Sequence, residues 1–495
     1  MTRILNSDVL TNHGDRKGRS DMFQILEAGM EAADPYYNVH RLLKFESGVI
    51  TIGNPDFDPI GCPWHQPLQF SVGRDIDRIF VFGAGKGIQR IAKAIEDILG
   101  DNVSGGLIIV KHGDSSILSR IKIKHGSHPV PDETCVVACQ DLLQEIDKAK
   151  LTKRDLVFIV IGNGVSSLLT LPPEGVKLES VKKITEILQI QKGLGTIEMN
   201  KVRVQVDMLK GGRLTRRLYP ANLIHFFGID INERFASGKI GYEAWTTENS
   251  WLHSLPDASS PEKAIEYLKT EDAFEMMPQD VKNYLETKAN ANPVLTLTEF
   301  EDWGGRFYGL MPKALSFLPA VEKKCTDLGY VPYHMCSKTN TEASVTGSIF
   351  GQIAKQIAML DKPFKAPCAM LITGELQVTV GHSSGIGGRN QEFQLALAKM
   401  IDGVPGIVGG GVDTDGTDGP GGDFSSDASK KGCRILAGAI VDSLAAKEAR
   451  RKGIDIAFAL KNHSTSNALW ALDSGVWASQ CISVNDLIVI LIRRI

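Results

Sequence analysis

The feature that most constrains this chain is a set of short apolar runs in its first half, separated by segments with helical periodicity. The runs are Arg78 to Gly83, Gly106 to Val110, Asp155 to Gly162 and Asn222 to Asp230. Runs that are apolar on both faces are typical of buried parallel strands. Between them, as from Ile88 to Leu99, apolar residues recur on one helix face. This alternation predicts an α/β fold with a doubly wound parallel sheet, which binds ligands at the carboxyl ends of its strands.

The length of 495 residues predicts more than one domain, because a domain typically holds roughly 150 residues. We expect an N-terminal domain over 1–298. Its last part, 240–298, is polar and contains several prolines, and we interpret it as a divergent connection. A second domain with mixed helices and strands is expected over 299–495. Its predicted strands include Cys368 to Thr373, Leu376 to Val380 and Leu487 to Ile492.

The charge and the composition favour a small-molecule enzyme. The net charge is -3 and the pI is near 6.4, so no basic surplus indicates a nucleic-acid partner. No apolar run approaches the roughly 18 residues of a membrane helix, and the N-terminus lacks a signal-peptide pattern. The eight cysteines form no C-x-x-C pair, which favours reduced thiols and a cytoplasmic location. The residues do not fix the oligomeric state, although a homodimer is compatible with them.

Two glycine-rich turns follow predicted strands and are candidate anion sites. Gly83 to Gly87 reads G-A-G-K-G and opens a helix, so its backbone amides and Lys86 would favour a phosphate. Its spacing matches neither the P-loop nor G-x-G-x-x-G. Gly162 to Ser166 also follows a strand and offers amides and a hydroxyl. An ordinary tight strand-to-helix turn explains either segment equally well.

Two further segments carry polar groups that suit an anionic ligand. Arg203 and Lys210 are seven residues apart, so a continuous helix would place them on one face, with Asn200 one turn earlier. Two cations and an amide suit a carboxylate or a phosphate. His128 lies in a stiff H-P-V-P segment. A solvated helix face and a structural histidine are the alternative interpretations.

The second half of the chain has a glycine-rich loop and an acidic loop. The segment Gly385 to Glu392 places Arg389 in the first turn of a predicted helix, where the helix dipole does not favour a cation. This arginine therefore serves a bound anion, or it pairs with Glu392. The segment Asp413 to Pro420 clusters carboxylates that suit Mg²⁺, although EF-hand spacing is absent. An acidic surface loop is the alternative.

These segments, in this order, resemble the glycerate 2-kinases, two-domain kinases with a MOFRL C-terminal domain. The matching segments span nearly the whole chain. They are Ala32 to Pro35, Gly83 to Lys86, His128 to Glu133, Ser166 to Pro172, Met199 to Gly212, Ala236 to Gly238, Gly374 to Val380, Gly387 to Glu392, Thr414 to Pro420 and Asn485 to Leu487. The most specific are G-G-R-N-Q-E and T-D-G-T-D-G-P, in that order after a G-E-x-x-V-T-V strand.

The resemblance implies a Rossmann-like large domain, a smaller α/β domain, and ATP- and Mg²⁺-dependent phosphorylation of the 2-hydroxyl of D-glycerate. Family members have also been called hydroxypyruvate reductases. By position in the matching motifs, we expect three groups of site residues. They are the catalytic residues Lys86, Arg389 and Asp230; the substrate- and phosphate-binding residues Gly85, His128, Asn163, Ser166, Asn200, Arg203, Lys210 and Asn390; and the Mg²⁺ ligands Glu375, Asp415 and Asp418.

Several positions depart from the family pattern. Asn163 and Val165 replace glycines of an S-G-G-G-S motif, and Val165 would resist a positive φ. Lys239 and Ile240 replace the end of an A-S-G-P-T motif. These departures suggest an altered acceptor, so a kinase of the same fold for a different alcohol is the first alternative. An oxidoreductase of the hydroxypyruvate reductase type and a non-catalytic nucleotide-binding homologue are the others.

Overall fold

The computed structural model describes residues 2–494 apart from 114–115, 233, 250, 312–316, 340 and 480–485. The chain forms two compact units. We call Pro35–Pro312 the large unit, and Met1–Asp34 together with Lys313–Ile495 the small unit. Within the described ranges, no helix is both long and apolar enough to span a membrane.

The strands are numbered in chain order. They are β1 (Leu43–Glu46), β2 (Val49–Ile52), β3 (Leu68–Ser71), β4 (Arg78–Ala84), β5 (Val103–Lys111), β6 (Lys122–Gly126), β7 (Asp155–Ile161), β8 (Asn222–Phe227), β9 (Arg306–Gly309), β10 (Val331–Thr339), β11 (Cys368–Gly374), β12 (Ile407–Asp413), β13 (Gly438–Asp442), β14 (Gly475–Val476) and β15 (Asp486–Ile492).

The α-helices are numbered in the same way. They are α1 (Ser7–Thr11), α2 (Arg16–Ala32), α3 (Pro35–Leu42), α4 (Ile88–Leu99), α5 (Glu133–Ala149), α6 (Val165–Leu168), α7 (Leu178–Thr185), α8 (Thr196–Arg203), α9 (Arg213–Leu218), α10 (Gly241–Thr247), α11 (Pro261–Thr270), α12 (Gln279–Thr287), α13 (Leu297–Asp302), α14 (Phe317–Asp327), α15 (Ala343–Leu360), α16 (Arg389–Met400), α17 (Ser426–Lys430), α18 (Ala445–Arg451), α19 (Ile456–Lys461) and α20 (Thr465–Ala471).

The large unit is built on the predicted parallel sheet. Its strand order is β6-β5-β4-β7-β8-β9, and every neighbouring pair is parallel. Strand β4 pairs with β5 on one side and with β7 on the other, so the chain changes direction across the sheet at β4 and β7. This is the topological switch point at which such sheets bind ligands. The prediction of a Rossmann-like large domain is confirmed.

The small unit has a mixed sheet with the order β10-β11-β15-β12-β13-β14. Strand β15, from the end of the chain, lies antiparallel between β11 and β12. The expected strand from Leu376 to Val380 does not form, because β15 already occupies that edge of β11. The segment makes one isolated bridge, between Gln377 and Glu342.

The first 34 residues belong to the small unit, which differs from the expected domain range 1–298. Helix α2 buries Met22, Ile25 and Leu26, and it packs on β12, β13 and β15. Arg19 of this helix pairs with Asp442 at 2.5 Å, and both side chains are 1% exposed. An amphipathic pattern predicts which face of such a helix is buried, but it does not predict which sheet the helix packs against.

The stretch 240–298, expected to be a connection, is part of the large unit. Helices α10, α11 and α12 lie within it. Leu268 and Val281 from these helices share a separate hydrophobic core with Val181 of α7 and Val202 of α8. Short amphipathic helices interrupted by prolines thus build a packed layer rather than a connection.

Acid is expected to weaken the large unit through His225, which lies on β8 and is fully buried. Burial lowers the pKa of His225 to about 3, from an ordinary 6.5. Near pH 5 this imidazole is neutral in the folded chain and protonated in the unfolded chain. The unfolded state therefore binds more protons, and the unfolding free energy falls as the pH falls below about 6.5. The loss at pH 5 is about 2 kcal/mol.

Urea unfolding at about pH 7.5 and about pH 5 tests this effect. His225→Gln removes the titrating group, so it should lose about 2 kcal/mol less than the wild type between the two pH values. His65→Gln, at an exposed position, is the control and should follow the wild type. If His225→Gln and the wild type lose the same stability, the expected linkage is wrong.

Candidate active site

The two predicted glycine turns lie against each other at the carboxyl ends of β4 and β7. Gly85 has a φ of +145°, and a Cβ placed there would lie 2.5 Å from the backbone nitrogen of Gly162. A Cβ on Gly162 would lie 2.3 Å from the carbonyl oxygen of Lys86. The Lys86 amide donates to the carbonyl of Asn163 over 2.7 Å. Glycine is therefore required for contact at both turns, and each turn fixes the other.

This pair of turns sits at the switch point of the sheet. Lys86 is half-buried and immediately precedes Gly87, the left-handed residue that opens α4. The N-terminus of α4 and the glycine backbone together favour a negatively charged ligand. The structure therefore places Gly85 and Lys86, the residues expected to bind an anion, at the carboxyl end of β4.

The altered residues of the second turn are accommodated without strain. Gly164 takes the left-handed conformation with a φ of +75°. Val165, which was expected to resist a positive φ, lies within α6 and is not strained. The Val165 side chain is fully buried in the core of the large unit. The ring of His128 packs on Gly164, since a Cβ there would lie 2.7 Å from His128 Cδ2.

Ser166 follows this turn and contacts two buried side chains. Its Oγ lies 2.9 Å from Nε2 of His253 and 3.1 Å from Nδ2 of Asn200. Arg203 donates from its guanidinium to the Ser166 carbonyl over 2.6 Å. Asn200 and Arg203, expected from sequence to lie in one site, both contact Ser166. His253 was not among the expected site residues, because it is a lone histidine in the segment interpreted as a connection.

Lys210 has a structural role in this region. Helix α8 ends at Arg203, so the expected single helix through Arg203 and Lys210 does not form. Lys210 Nζ pairs with Asp207 at 2.6 Å, and both side chains are at most 2% exposed. It also donates to Thr170 Oγ1 over 3.1 Å. The buried pair holds the loop after α8 against the segment after α6.

Asp230 lies beyond the carboxyl end of β8, on the edge of the sheet that carries both glycine turns. It is half-buried, and its Oδ1 accepts a hydrogen bond from the Asn232 amide over 2.9 Å. This turn orients the carboxylate. Its position at the strand end is compatible with the expected contact to a substrate hydroxyl.

In the small unit, Arg389 lies among carboxylates. It bonds to Asp486 at 2.9 Å and to Asp413 at 2.7 Å, and Glu375 is 3.6 Å away. Burial alone would lower the pKa of Arg389, but the carboxylates of Asp413 and Asp486 raise it above its ordinary value. Pairing with Glu392, the alternative from sequence, is wrong because Glu392 bonds to His463 at 2.6 Å.

Asp418 bonds to the first turn of α16. Its Oδ1 accepts from the Asn390 backbone amide over 3.1 Å, and its Oδ2 accepts from the Gln391 amide over 2.9 Å. The Asn390 side chain donates to Asp418 over 3.2 Å and to Asp486 over 2.7 Å. A carboxylate in this position satisfies amides that a helix N-terminus leaves unpaired. Asp418 therefore fits a capping role better than the expected Mg²⁺ contact.

The remaining carboxylates fit a Mg²⁺ ion that keeps part of its water. In the part of the chain that the structure describes, no three His, Cys, Asp or Glu side chains are grouped to hold a metal by themselves. Mg²⁺ usually takes only one or two protein carboxylates, with water and phosphate oxygens completing the shell. Burial and then the Asp415 carboxylate raise the pKa of Asp413 well above its usual range. A cation would relieve this crowding, so Asp413 and Asp415 fit the ion.

Two protein families and several known kinases are similar to this chain. Residues 21–249 match the family described as a domain of unknown function (DUF4147), and residues 368–482 match the MOFRL family. The chain is 30% identical to D-glycerate 2-kinase from Thermotoga maritima, over 84% of this chain and 91% of that protein. It is 29% identical to glycerate 2-kinase from Pyrococcus horikoshii, over 90% of each. The crystal structure of glycerate kinase from Thermotoga maritima matches with a TM-score of 0.69 and 25% identity, over 95% of this chain and 98% of that one.

The fold and these relatives define a phosphotransferase that uses an alcohol group as acceptor. The chain belongs to the glycerate 2-kinase family, as the motifs in its sequence predicted.

The contact between the two turns predicts a large penalty for a side chain at Gly85. Gly85→Ala introduces both backbone strain and a clash with Gly162, which together should destabilise the large unit by about 2–5 kcal/mol. Gly105 of β5 is a matched control, with a φ of +146° and no atom within 4 Å of an added Cβ. Gly105→Ala should cost only the strain, about 1–3 kcal/mol. Chemical unfolding measures both variants. Equal losses would show that the two turns are not in contact.

Proposed function

We propose that this protein transfers the γ-phosphoryl group of ATP, in the presence of Mg²⁺, to a hydroxyl group of D-glycerate or a closely similar hydroxy acid. The observation that carries the proposal is the pair of interlocked glycine turns with Lys86 at the switch point of the large sheet. Such a crevice suits phosphate or carboxylate oxygens. The relative from Thermotoga maritima named D-glycerate 2-kinase supports the choice of acceptor.

In this proposal Lys86 neutralises charge on the transferring phosphoryl group. Phosphoryl transfer needs positioning and charge stabilisation more than covalent help from the protein. The Lys86 amide donates to the Asn163 carbonyl, and this bond fixes the backbone from which the lysine side chain extends. Donors that are fixed beforehand stabilise developing charge most effectively.

Asp413 and Asp415 would hold the Mg²⁺ ion, and the exposed Glu375 is the further carboxylate near Arg389. When bound, the ion supplies positive charge to the phosphate oxygens. Arg389 keeps Asp413 and Asp486 at fixed positions through its two short ion pairs. We assign Arg389 to organising these carboxylates, in addition to the phosphoryl contact implied by the family motif.

Asp230 is the candidate to orient or deprotonate the attacking hydroxyl. It is half-buried, its own turn fixes its carboxylate, and it shares the ligand-binding edge of the sheet. A general base must lie within hydrogen-bond reach of the proton that it takes. From its place beyond the end of β8, Asp230 would reach a substrate held by the neighbouring turns.

The residues that depart from the family pattern give little reason for a different acceptor. The Val165 side chain is in the hydrophobic core. Lys239 bonds to Thr247 at 3.0 Å and pairs with Glu248 at 3.2 Å. Neither contact changes the polar groups around Ser166. An oxidoreductase is disfavoured because the turn after β4 lacks the G-x-G-x-x-G spacing of dinucleotide sites.

The first test is a coupled assay of ADP release with a panel of acceptors. D-glycerate should support ATP consumption that requires Mg²⁺. Glycerol, which lacks the carboxylate, should be at least about 100-fold poorer in kcat/KM, because a site built for a charged group leaves its donors unpaired without it. Turnover of glycerol equal to that of D-glycerate would contradict the proposal. Binding of NADH without any response to ATP would contradict the kinase assignment altogether.

The second test is Lys86→Met. We expect a fall in kcat of roughly 10³-fold, by analogy with other cations that stabilise a transferring phosphoryl group. Lys93→Met is the matched control, because Lys93 lies on α4 and pairs with Asp97 on the surface. It should change stability by less than about 0.5 kcal/mol and leave kcat unchanged. A kcat for Lys86→Met close to that of Lys93→Met would remove Lys86 from the site.

A further inference from the structure

Ser166 is a partly exposed residue whose hydroxyl contacts two buried side chains. Ser166 is partly exposed, whereas His253 and Asn200 are 1% and 0% exposed. Both side chains lie within hydrogen-bond distance of the same Oγ atom. Ser166 is therefore the most exposed residue of the three, and the two buried side chains orient its hydroxyl.

Hydrogen bonds fix the backbone on both sides of His253. The buried Asn249 side chain accepts from the Leu252 amide over 2.9 Å and donates to the Pro256 carbonyl over 3.1 Å. The His253 carbonyl accepts from the Gly212 amide over 2.8 Å. These bonds close the turn around His253 and hold its imidazole against Ser166.

The imidazole of His253 is neutral. Burial lowers its pKa well below the ordinary value, and the cations Lys210 and Arg203 lower it further. A neutral imidazole carries one N–H and one lone pair. Among the described residues nothing bonds to its buried Nδ1. Since a buried N–H without an acceptor is rarer than a buried acceptor without a donor, the proton belongs on Nε2, which then donates to Ser166.

The side-chain amide of Asn200 is a second donor to the Ser166 hydroxyl. Its Nδ2 faces Ser166 Oγ at 3.1 Å, and its buried Oδ1 has no partner within the described part of the chain. Two donors, one from His253 and one from Asn200, fill both lone pairs of the hydroxyl oxygen. The hydroxyl hydrogen is then left to donate in the remaining direction.

We propose that His253 and Asn200 are positioning residues that commit the Ser166 hydroxyl to donate a hydrogen bond to an anionic ligand oxygen. The oxygen belongs to the carboxylate of the acceptor or to a phosphate of the nucleotide, and this ligand assignment rests on the proposed function. Hydrogen bonds to charged acceptors are the stronger class. Ser166 is not a nucleophile here, because the nitrogen of His253 that faces it already carries a proton.

The tautomer of His253 tests the inference without any activity measurement. In protein labelled with ¹⁵N-histidine, the resonances of His253 are identified by their loss in His253→Gln. We expect a neutral ring with the proton on Nε2. A proton on Nδ1 would mean that Ser166 donates to the imidazole, and that result would overturn the inference.

Kinetics with single and double variants test the consequence for ligand binding. Ser166→Ala should raise KM about 10- to 100-fold for D-glycerate if the oxygen is the carboxylate, or for ATP if it is a phosphate. His253→Phe should raise the same KM roughly 10-fold, and His253→Gln, which keeps a donor, should restore it. The double variant Ser166→Ala with His253→Phe should be no worse than Ser166→Ala alone, because His253 acts only through Ser166.

Ser167→Ala is the matched control, because the Ser167 hydroxyl donates to the Ser127 carbonyl over 2.9 Å. It should leave both KM values unchanged. If Ser166→Ala also leaves both unchanged, the inference is wrong. A wild-type protein that fails to phosphorylate D-glycerate would refute the proposed function alone. The tautomer, and calorimetric titration of ATP and D-glycerate into the wild type and Ser166→Ala, would still decide the role of Ser166.

Discussion

The contact between the turns after β4 and β7 is the constraint on which the rest of the large unit depends. Both turns need glycine, since a Cβ on Gly85 or Gly162 would overlap backbone atoms of the other turn. The contact fixes Lys86 on one side and Ser166 on the other. A sheet of this order offers a crevice at its switch point in any case. The glycines let the two turns meet at that crevice, with Lys86 on one turn and Ser166 beside the other, and a cation and a hydroxyl are groups suited to phosphate or carboxylate.

The small unit contains a cluster of buried carboxylates around Arg389. Arg389 holds Asp413 and Asp486 close together, and Asp418 is used by the N-terminus of α16. One guanidinium does not neutralise this group of carboxylates, and the pKa of Asp413 is raised by burial and by Asp415. A buried surplus of negative charge is costly unless a cation offsets it. A proton or a bound cation would relieve this repulsion, and the Mg²⁺ ion of the proposed function is such a cation.

Much of this organisation was predictable from sequence, and the exceptions have physical reasons. Buried parallel strands and glycine turns leave local signals, so the large sheet and the positions of Lys86 and Asn163 were expected. Packing between segments that are distant in the chain leaves no local signal in the sequence. Helix α2 joins the small unit, β15 takes the place expected for Leu376 to Val380, and His253 reaches Ser166 from 87 residues away. Each of these results from packing partners that are distant in the chain.

Hydrogen–deuterium exchange of the backbone amides tests whether ligands bind at the two glycine turns, because it reports ligand contact without requiring turnover. We expect a saturating mixture of D-glycerate, ADP and Mg²⁺ to slow exchange at 85–88 and 162–167, which cover parts of the two turns and Ser166. Gly73 and Arg74, exposed residues that precede β4 at the opposite edge of the sheet, should be unaffected. If exchange slows only in other segments and is unchanged at both turns, the ligands bind elsewhere and the proposed site is wrong.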